Sequence, residues 1–151
     1  MKVAIALFDG FDDLDAIGPF EVFQHAQTFG ADVDVGLYTL EPQDVVTSSH
    51  GLRIRPDGVL DDANGSEPDL VVVPGGGWSA RAEEGAWGEA ERGVLPDLLK
   101  RLHDTGTTVA SVCTGGMLLA RAGLTEGRPA VTHHDALEDL RKSGAEVVDS
   151  E

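Results

Sequence analysis

A single cysteine, Cys113, in a chain of 151 residues excludes an internal disulfide and fits a reducing compartment. No uninterrupted apolar run approaches the ~20 residues that a membrane-spanning helix requires, and aromatic residues make up only 5% of the chain. Basic residues are scarce as well: 11 Lys and Arg stand against 27 Asp and Glu, and lysine occurs only at positions 2, 100 and 142. The resulting formal charge of −16 opposes nucleic-acid binding, which needs a basic patch to neutralise phosphates. The N-terminus carries Lys2, a short apolar run and then acids at once, so it reads as a first strand and not as a signal peptide. A cytoplasmic protein without membrane or nucleic-acid partners is expected.

The acids are spread along the chain and do not form one tail. Such a surface repels itself, and salt relieves the repulsion by shortening the Debye length. A halophilic setting is therefore expected, and the thermal midpoint should rise with added KCl. A midpoint that stays flat or falls across a KCl series contradicts this.

Lys2 to Phe8 is apolar almost throughout, as a strand covered on both faces would be. Gly18-Pro19 reads as the opening of a helix that ends near Gly30. Asp32 to Leu40 reads as a second strand. Val45 to Thr47 and Leu52 to Arg55 form a short hairpin around His50-Gly51, and Leu70 to Val73 is a buried strand. Val94, Leu95, Leu98, Leu99 and Leu102 give an apolar stripe to one helix over about Glu89 to Asp104. Thr107 to Val112 is a strand leading into a helix that ends near Ala122. Ala130 to Thr132 is extended, Asp135 to Lys142 helical, and Ala145 to Val148 a last strand. Strands alternating with helices predict a flavodoxin-like α/β fold, a mostly parallel sheet with helices on both faces. No repeat, low-complexity tract or linker divides residues 1–151, so a single domain is expected.

Three stretches carry groups able to do chemistry. In Ser111-Val112-Cys113-Thr114-Gly115-Gly116 a strand passes into a helix through small residues. Two readings fit Cys113: a buried small filler, or a nucleophile elbow that projects the thiol over the C-terminal sheet edge. A thiol at that turn faces helix N–H groups, which predicts a lowered pKa. Asp12-Asp13-Leu14-Asp15 follows the first strand, and so lies at the same edge. Asp12 and Asp13 suit helix capping, whereas Asp15 sits among apolar Leu14, Ala16 and Ile17. Pro74-Gly75-Gly76-Gly77 follows the third long strand, where glycine N–H groups could approach a reacting atom, or simply form a flexible loop. Trp78 and Trp87 flank this loop as pocket wall or as packing. His133 and His134, with Cys113, raise the question of a metal, yet no second cysteine or His-x-x-x-His pair accompanies them. No metal or cofactor is expected.

Taken in order, LDAIGPFEVF, VVVPGGG, SVCTGGMLLARAGLTEG and AVTHH resemble the ThiJ/PfpI superfamily, whose fold is like that of class I glutamine amidotransferases. The resemblance runs from Lys2 to about Asp149. It implies that Cys113 is an elbow nucleophile, that Asp15 is its acidic partner, and that His133 is a histidine the family often places beside the thiol. Cys-Thr-Gly together with Leu-Asp-x-x-Gly-Pro looks most like the isonitrile hydratase branch and the sensor halves of certain transcription regulators. The peptidase branch has His directly after the cysteine, where Thr114 stands. The branch similar to human protein deglycase has Glu at the Asp15 position. Family members usually continue into a further strand pair and a closing helix, whereas this sequence stops at Glu151, and a regulator's helix-turn-helix half is absent.

The expected activity is a hydratase or hydrolase in which Cys113 attacks a small electrophilic carbon, such as that of an isonitrile. A thioimidate would form, and Asp15 would move the protons. Gly75, Gly76, Thr114 and Gly115 would bind substrate or stabilise developing charge. Two alternatives are a non-enzymatic oxidation sensor at Cys113 and a deglycase or glyoxalase-like activity on 2-oxoaldehydes with His133 as base. The expected assembly is a homodimer.

Overall fold

The computed structural model describes residues 1–60 and 67–148; Glu151, where the sequence ends, lies outside the described residues. Its centre is a parallel five-stranded sheet. The strands are β1 (Lys2–Ala6), β2 (Asp34–Thr39), β5 (Gly58–Val59), β6 (Leu70–Val73) and β7 (Thr108–Ser111), in the order β5-β2-β1-β6-β7. Val3, Ile5, Val71 and Val73 are completely buried, as central strands covered on both faces require. Two small pairs lie outside this sheet: antiparallel β3 (Val46–Thr47) with β4 (Arg53–Ile54), and parallel β8 (Pro129–Ala130) with β9 (Glu146–Val147).

The strand order fixes where a site can form. From β1 the chain crosses through α1 (Asp13–Thr28) to β2 on one side. From β6 it crosses through α2 (Ala86–Arg92) and α3 (Val94–Thr105) to β7 on the other. Parallel crossovers are right-handed, so α1 covers one face and the α2–α3 pair the opposite one. The direction of winding reverses between β1 and β6, and the loops leaving these two strands diverge to open a crevice. After β7 come α4 (Gly115–Arg121), a 3-10 turn (His134–Ala136) and α5 (Leu137–Lys142).

Two helix boundaries differ from the sequence reading. Helix α1 begins at Asp13, not at Gly18-Pro19, because the Asp12 carboxylate accepts the Leu14 N–H (3.3 Å) and caps it there. Pro19 lies inside the helix. Gly18 precedes it and has no Cβ to crowd the ring, which eases the usual helical penalty before proline. The segment expected as one helix over Glu89 to Asp104 is two, since Gly93 takes a left-handed conformation (φ +78°) that ends α2 and starts α3. Four members of the apolar stripe, Leu95, Leu98, Leu99 and Leu102, are buried, each contributing about 2 kcal/mol, whereas Val94, at the first position of α3, is exposed. The edge strand β5, too short to show a period, has no counterpart in the sequence reading. Leu14 and Val22 on α1, and Phe29 just after its end, remain exposed.

Candidate active site

The β7–α4 turn presents the cysteine. Val112 N–H donates to the Val73 carbonyl (3.0 Å), Gly115 N–H to the Val112 carbonyl (2.9 Å) and the Thr132 hydroxyl to the Cys113 carbonyl (3.0 Å). These bonds hold Cys113 at φ +53°; among the described residues, Arg81 is the only other non-glycine at positive φ. For an L-residue this conformation costs about 1–2 kcal/mol. Gly115 lets the turn sit tight, because a Cβ there would collide with the carbonyl oxygen of Val73. The strain has a measurable signature. Cys113→Gly and Cys113→Ala both remove the thiol, but only glycine relaxes at this φ, so the Gly variant should be the more stable by about 1 kcal/mol in thermal or urea melts. An Ala variant equal to or above the Gly variant contradicts a strained elbow.

Asp15 comes from the first turn of α1, on the far side of the crevice. It is only 9% exposed. Its Oδ2 accepts the Gly75 N–H at 3.0 Å, and its carboxyl lies close enough to the Cys113 thiol for each to influence the other's charge. Burial pushes the Asp15 pKa up; the Gly75 N–H offsets part of this, and the nearby Asp12 charge adds to it. Burial also pushes the Cys113 thiol up, with the Asp15 charge acting in the same direction, while the Thr114 backbone N–H and hydroxyl pull it down. The lowered thiol pKa expected from the helix N-terminus is therefore not what the environment gives, because desolvation and a buried carboxylate outweigh the turn's N–H groups. Two acids that each resist the second negative charge titrate as a pair and hold one proton between them.

The glycine loop acts differently from the sequence expectation. Gly75 N–H is used by Asp15, Gly76 N–H by the Thr114 hydroxyl oxygen (3.0 Å), and Gly115 N–H by Val112. These three N–H groups organise the site and are not free to meet a substrate. Thr114 remains: its backbone N–H and its hydroxyl both face the Cys113 sulfur. Gly76 has φ +128° and packs against the backbone of Gly10, Phe11 and Asp12, which locks the β6 loop onto the β1 loop.

Above the sulfur lies an open pocket of about 290 Å³, lined by Asp12, Gly76, Trp78, Cys113, Thr114 and His133 among others. Trp78 is both wall and packing. It is 6% exposed, meets Trp87 edge-on at 4.9 Å between ring centroids, and donates its Nε1–H to Asp139 (3.0 Å). That bond, with the neighbouring Arg81, holds the Asp139 carboxyl below its ordinary pKa. Arg81 stacks 3.8 Å over the Trp87 ring and also binds Asp139 (3.1 Å), tying the wall to α5. Arg81 and Asp139 carry no sequence signal, since neither belongs to a motif.

His133 reaches the pocket, but its Nδ1 accepts the backbone N–H of Asp135 (3.4 Å). Among the described residues, three metal-ligating side chains converge at His133, His134 and Asp135, without Cys113. No described helix is long and apolar enough to cross a membrane.

The sequence model of the DJ-1/PfpI family matches residues 1–151. A deglycase of Thermococcus kodakarensis is 32% identical over 151 residues, covering 100% of this chain and 83% of that protein. An isonitrile hydratase of Pseudomonas putida is 34% identical over 145 residues; 93% of this chain aligns with 57% of that protein. The crystal structure of Drosophila melanogaster DJ-1beta superposes with a TM-score of 0.79 at 22% identity, covering 99% of this chain and 74% of that one.

Proposed function

Because the chain belongs to the DJ-1/PfpI family, we propose that it uses Cys113 as a nucleophile to hydrate a small isonitrile to the N-formamide. One observation carries this reading: the strained turn at Cys113 sets its thiol beside the buried carboxyl of Asp15, and Cys113 lines an open pocket. Isonitrile hydration needs one acid–base group that can give, take and return protons at a single carbon. Asp15 meets that need.

The sequence of steps balances as follows. The sulfur bonds to the isonitrile carbon while the shared proton passes through Asp15 to that same carbon, giving the thioimidate R–N=CH–S–Cys113. Asp15, now ionised, takes a proton from water as its oxygen adds to the thioimidate carbon, and the imine nitrogen receives that proton. The tetrahedral adduct collapses with cleavage of the C–S bond. The remaining hydroxyl proton returns through Asp15 to the sulfur, and R–NH–CHO leaves. The Thr114 N–H and hydroxyl stabilise negative charge at the sulfur before attack and after expulsion.

The full-length likeness to a deglycase supports a second reading on the same nucleophile, attack on a carbonyl carbon. His133 lines the same pocket as Cys113 and Thr114 and is the candidate base in that reading. The two readings separate in a substrate panel of p-nitrophenyl isocyanide, methylglyoxal and a peptide amide, run in high KCl on wild type and Cys113→Ser. Formamide production that disappears in Cys113→Ser supports the hydratase. Consumption of methylglyoxal alone supports the second reading, and no turnover of any substrate leaves the oxidation-sensor role. Exposed Leu14 and Val22 on α1, with Phe29 at its C-terminal end, support the proposed homodimer.

A further inference from the structure

We propose that His133, His134 and Asp135 form a binding site for a divalent transition-metal ion of the zinc class, on the rim of the Cys113 pocket and independent of the chemistry assigned to the thiol. His133 Nδ1 lies 3.8 Å from one Asp135 carboxylate oxygen, and His134 Nε2 lies 3.0 Å from the other; the ligand atoms of all three residues fall within 4.8 Å of one another. A tetrahedral ion with bonds of about 2.0–2.1 Å places neighbouring ligand atoms about 3.3 Å apart. The two separations run to different oxygens of the one carboxylate, and closing the set around an ion takes side-chain rotations that bring one oxygen between the rings and exchange the long Asp135 N–H contact of His133 Nδ1 (3.4 Å) for the metal.

The local backbone converges these groups. The 3-10 turn is closed by the Ala136 N–H donating to the His133 carbonyl at 2.8 Å, and fully buried Ala136 anchors it. The centroids of the two imidazole rings sit 4.2 Å apart at a tilt of 38°. The Ser79 hydroxyl, from the loop after β6, reaches Asp135 Oδ2 at 3.5 Å as an orienting contact. Two imidazoles with one carboxylate select a borderline ion over magnesium or calcium, which prefer all-oxygen shells. Asp135 supplies the third ligand that the sequence reading did not find when it paired the two histidines with Cys113. The strongly acidic surface raises the local cation concentration.

The test is equilibrium dialysis of Zn²⁺ against untagged protein in concentrated KCl, which screens diffuse binding to surface acids. It is run on wild type, His134→Ala, Asp135→Asn and Cys113→Ser. The expected result is one ion per chain, an affinity at least about tenfold weaker in His134→Ala and Asp135→Asn, and an unchanged affinity in Cys113→Ser. Co²⁺ loading should give a spectrum without a thiolate charge-transfer band. Wild-type binding no tighter than that of His134→Ala overturns the site. So does a loss confined to Cys113→Ser together with a thiolate band, which would assign the ion to the sulfur. His134 is exposed, so His134→Ala folds as the wild type does, and loss of the hydratase reading would leave the metal result standing.

Discussion

Asp15→Asn is expected to lower turnover of p-nitrophenyl isocyanide by about 10²–10⁴-fold, the range for losing a general acid–base group. Asparagine keeps the shape and still accepts the Gly75 N–H, but it neither holds the shared proton nor takes one from water. The loss comes without unfolding. Burial raises the Asp15 pKa in the folded chain, so its stabilising contribution is complete below the unfolded value of about 3.9 and is lost as pH rises through the raised folded value. Asparagine does not titrate. The variant should therefore melt no lower than wild type at neutral pH, and its advantage should shrink on acidification. Stopped-flow rates and melts over a pH series check both halves. A variant that turns over at the wild-type rate removes Asp15 from the proton path, and one that is inactive but unfolded at neutral pH contradicts the burial argument.

The second large effect is structural. Gly76→Ala should destabilise the protein by about 3 kcal/mol or more, since the new Cβ is strained by φ and also meets backbone that cannot rotate away. Gly76 has φ +128°, and a Cβ there would strike the Gly10 carbonyl oxygen and crowd the Asp12 nitrogen and the Phe11 carbonyl carbon. These atoms belong to the β1 loop, so relief requires the two loops at the switch point to part. That movement would also draw Gly76 N–H away from Thr114 and Gly75 N–H away from Asp15. For a chain of this size the midpoint should fall by roughly 6–12 °C. A drop below about 2 °C would mean that the loops yield easily and that the site is not preorganised by this contact.

The sheet was legible because its strands are buried on both faces. Runs such as Val71-Val72-Val73 leave few alternatives, and their alternation with helices fixes a parallel order. The elbow was legible because a φ near +53° at Cys113 needs small neighbours, and Ser111, Gly115 and Gly116 are visible in the sequence. Asp15 stood out as an acid among apolar residues, and it is buried. What stayed hidden depends on contacts between distant segments. Asp12 begins α1 through a side-chain bond, and Gly93 breaks a continuous leucine stripe through its φ. The thiol pKa reverses direction because burial and a carboxylate 98 positions away outweigh the local turn. The Gly75 and Gly76 N–H groups look free in sequence because their acceptors, Asp15 and Thr114, come from the first turn of α1 and from the start of α4.

Intact-mass spectrometry on Asp15→Asn exposed to p-nitrophenyl isocyanide tests the covalent role of Cys113 most directly. With the proton path removed, thioimidate that forms is resolved slowly, so the expected result is a one-to-one adduct of the substrate's mass that maps to the peptide bearing Cys113 and is missing from Cys113→Ser. Formamide released by Cys113→Ser at the wild-type rate, or an adduct of the same size persisting in Cys113→Ser, contradicts nucleophilic catalysis by this thiol.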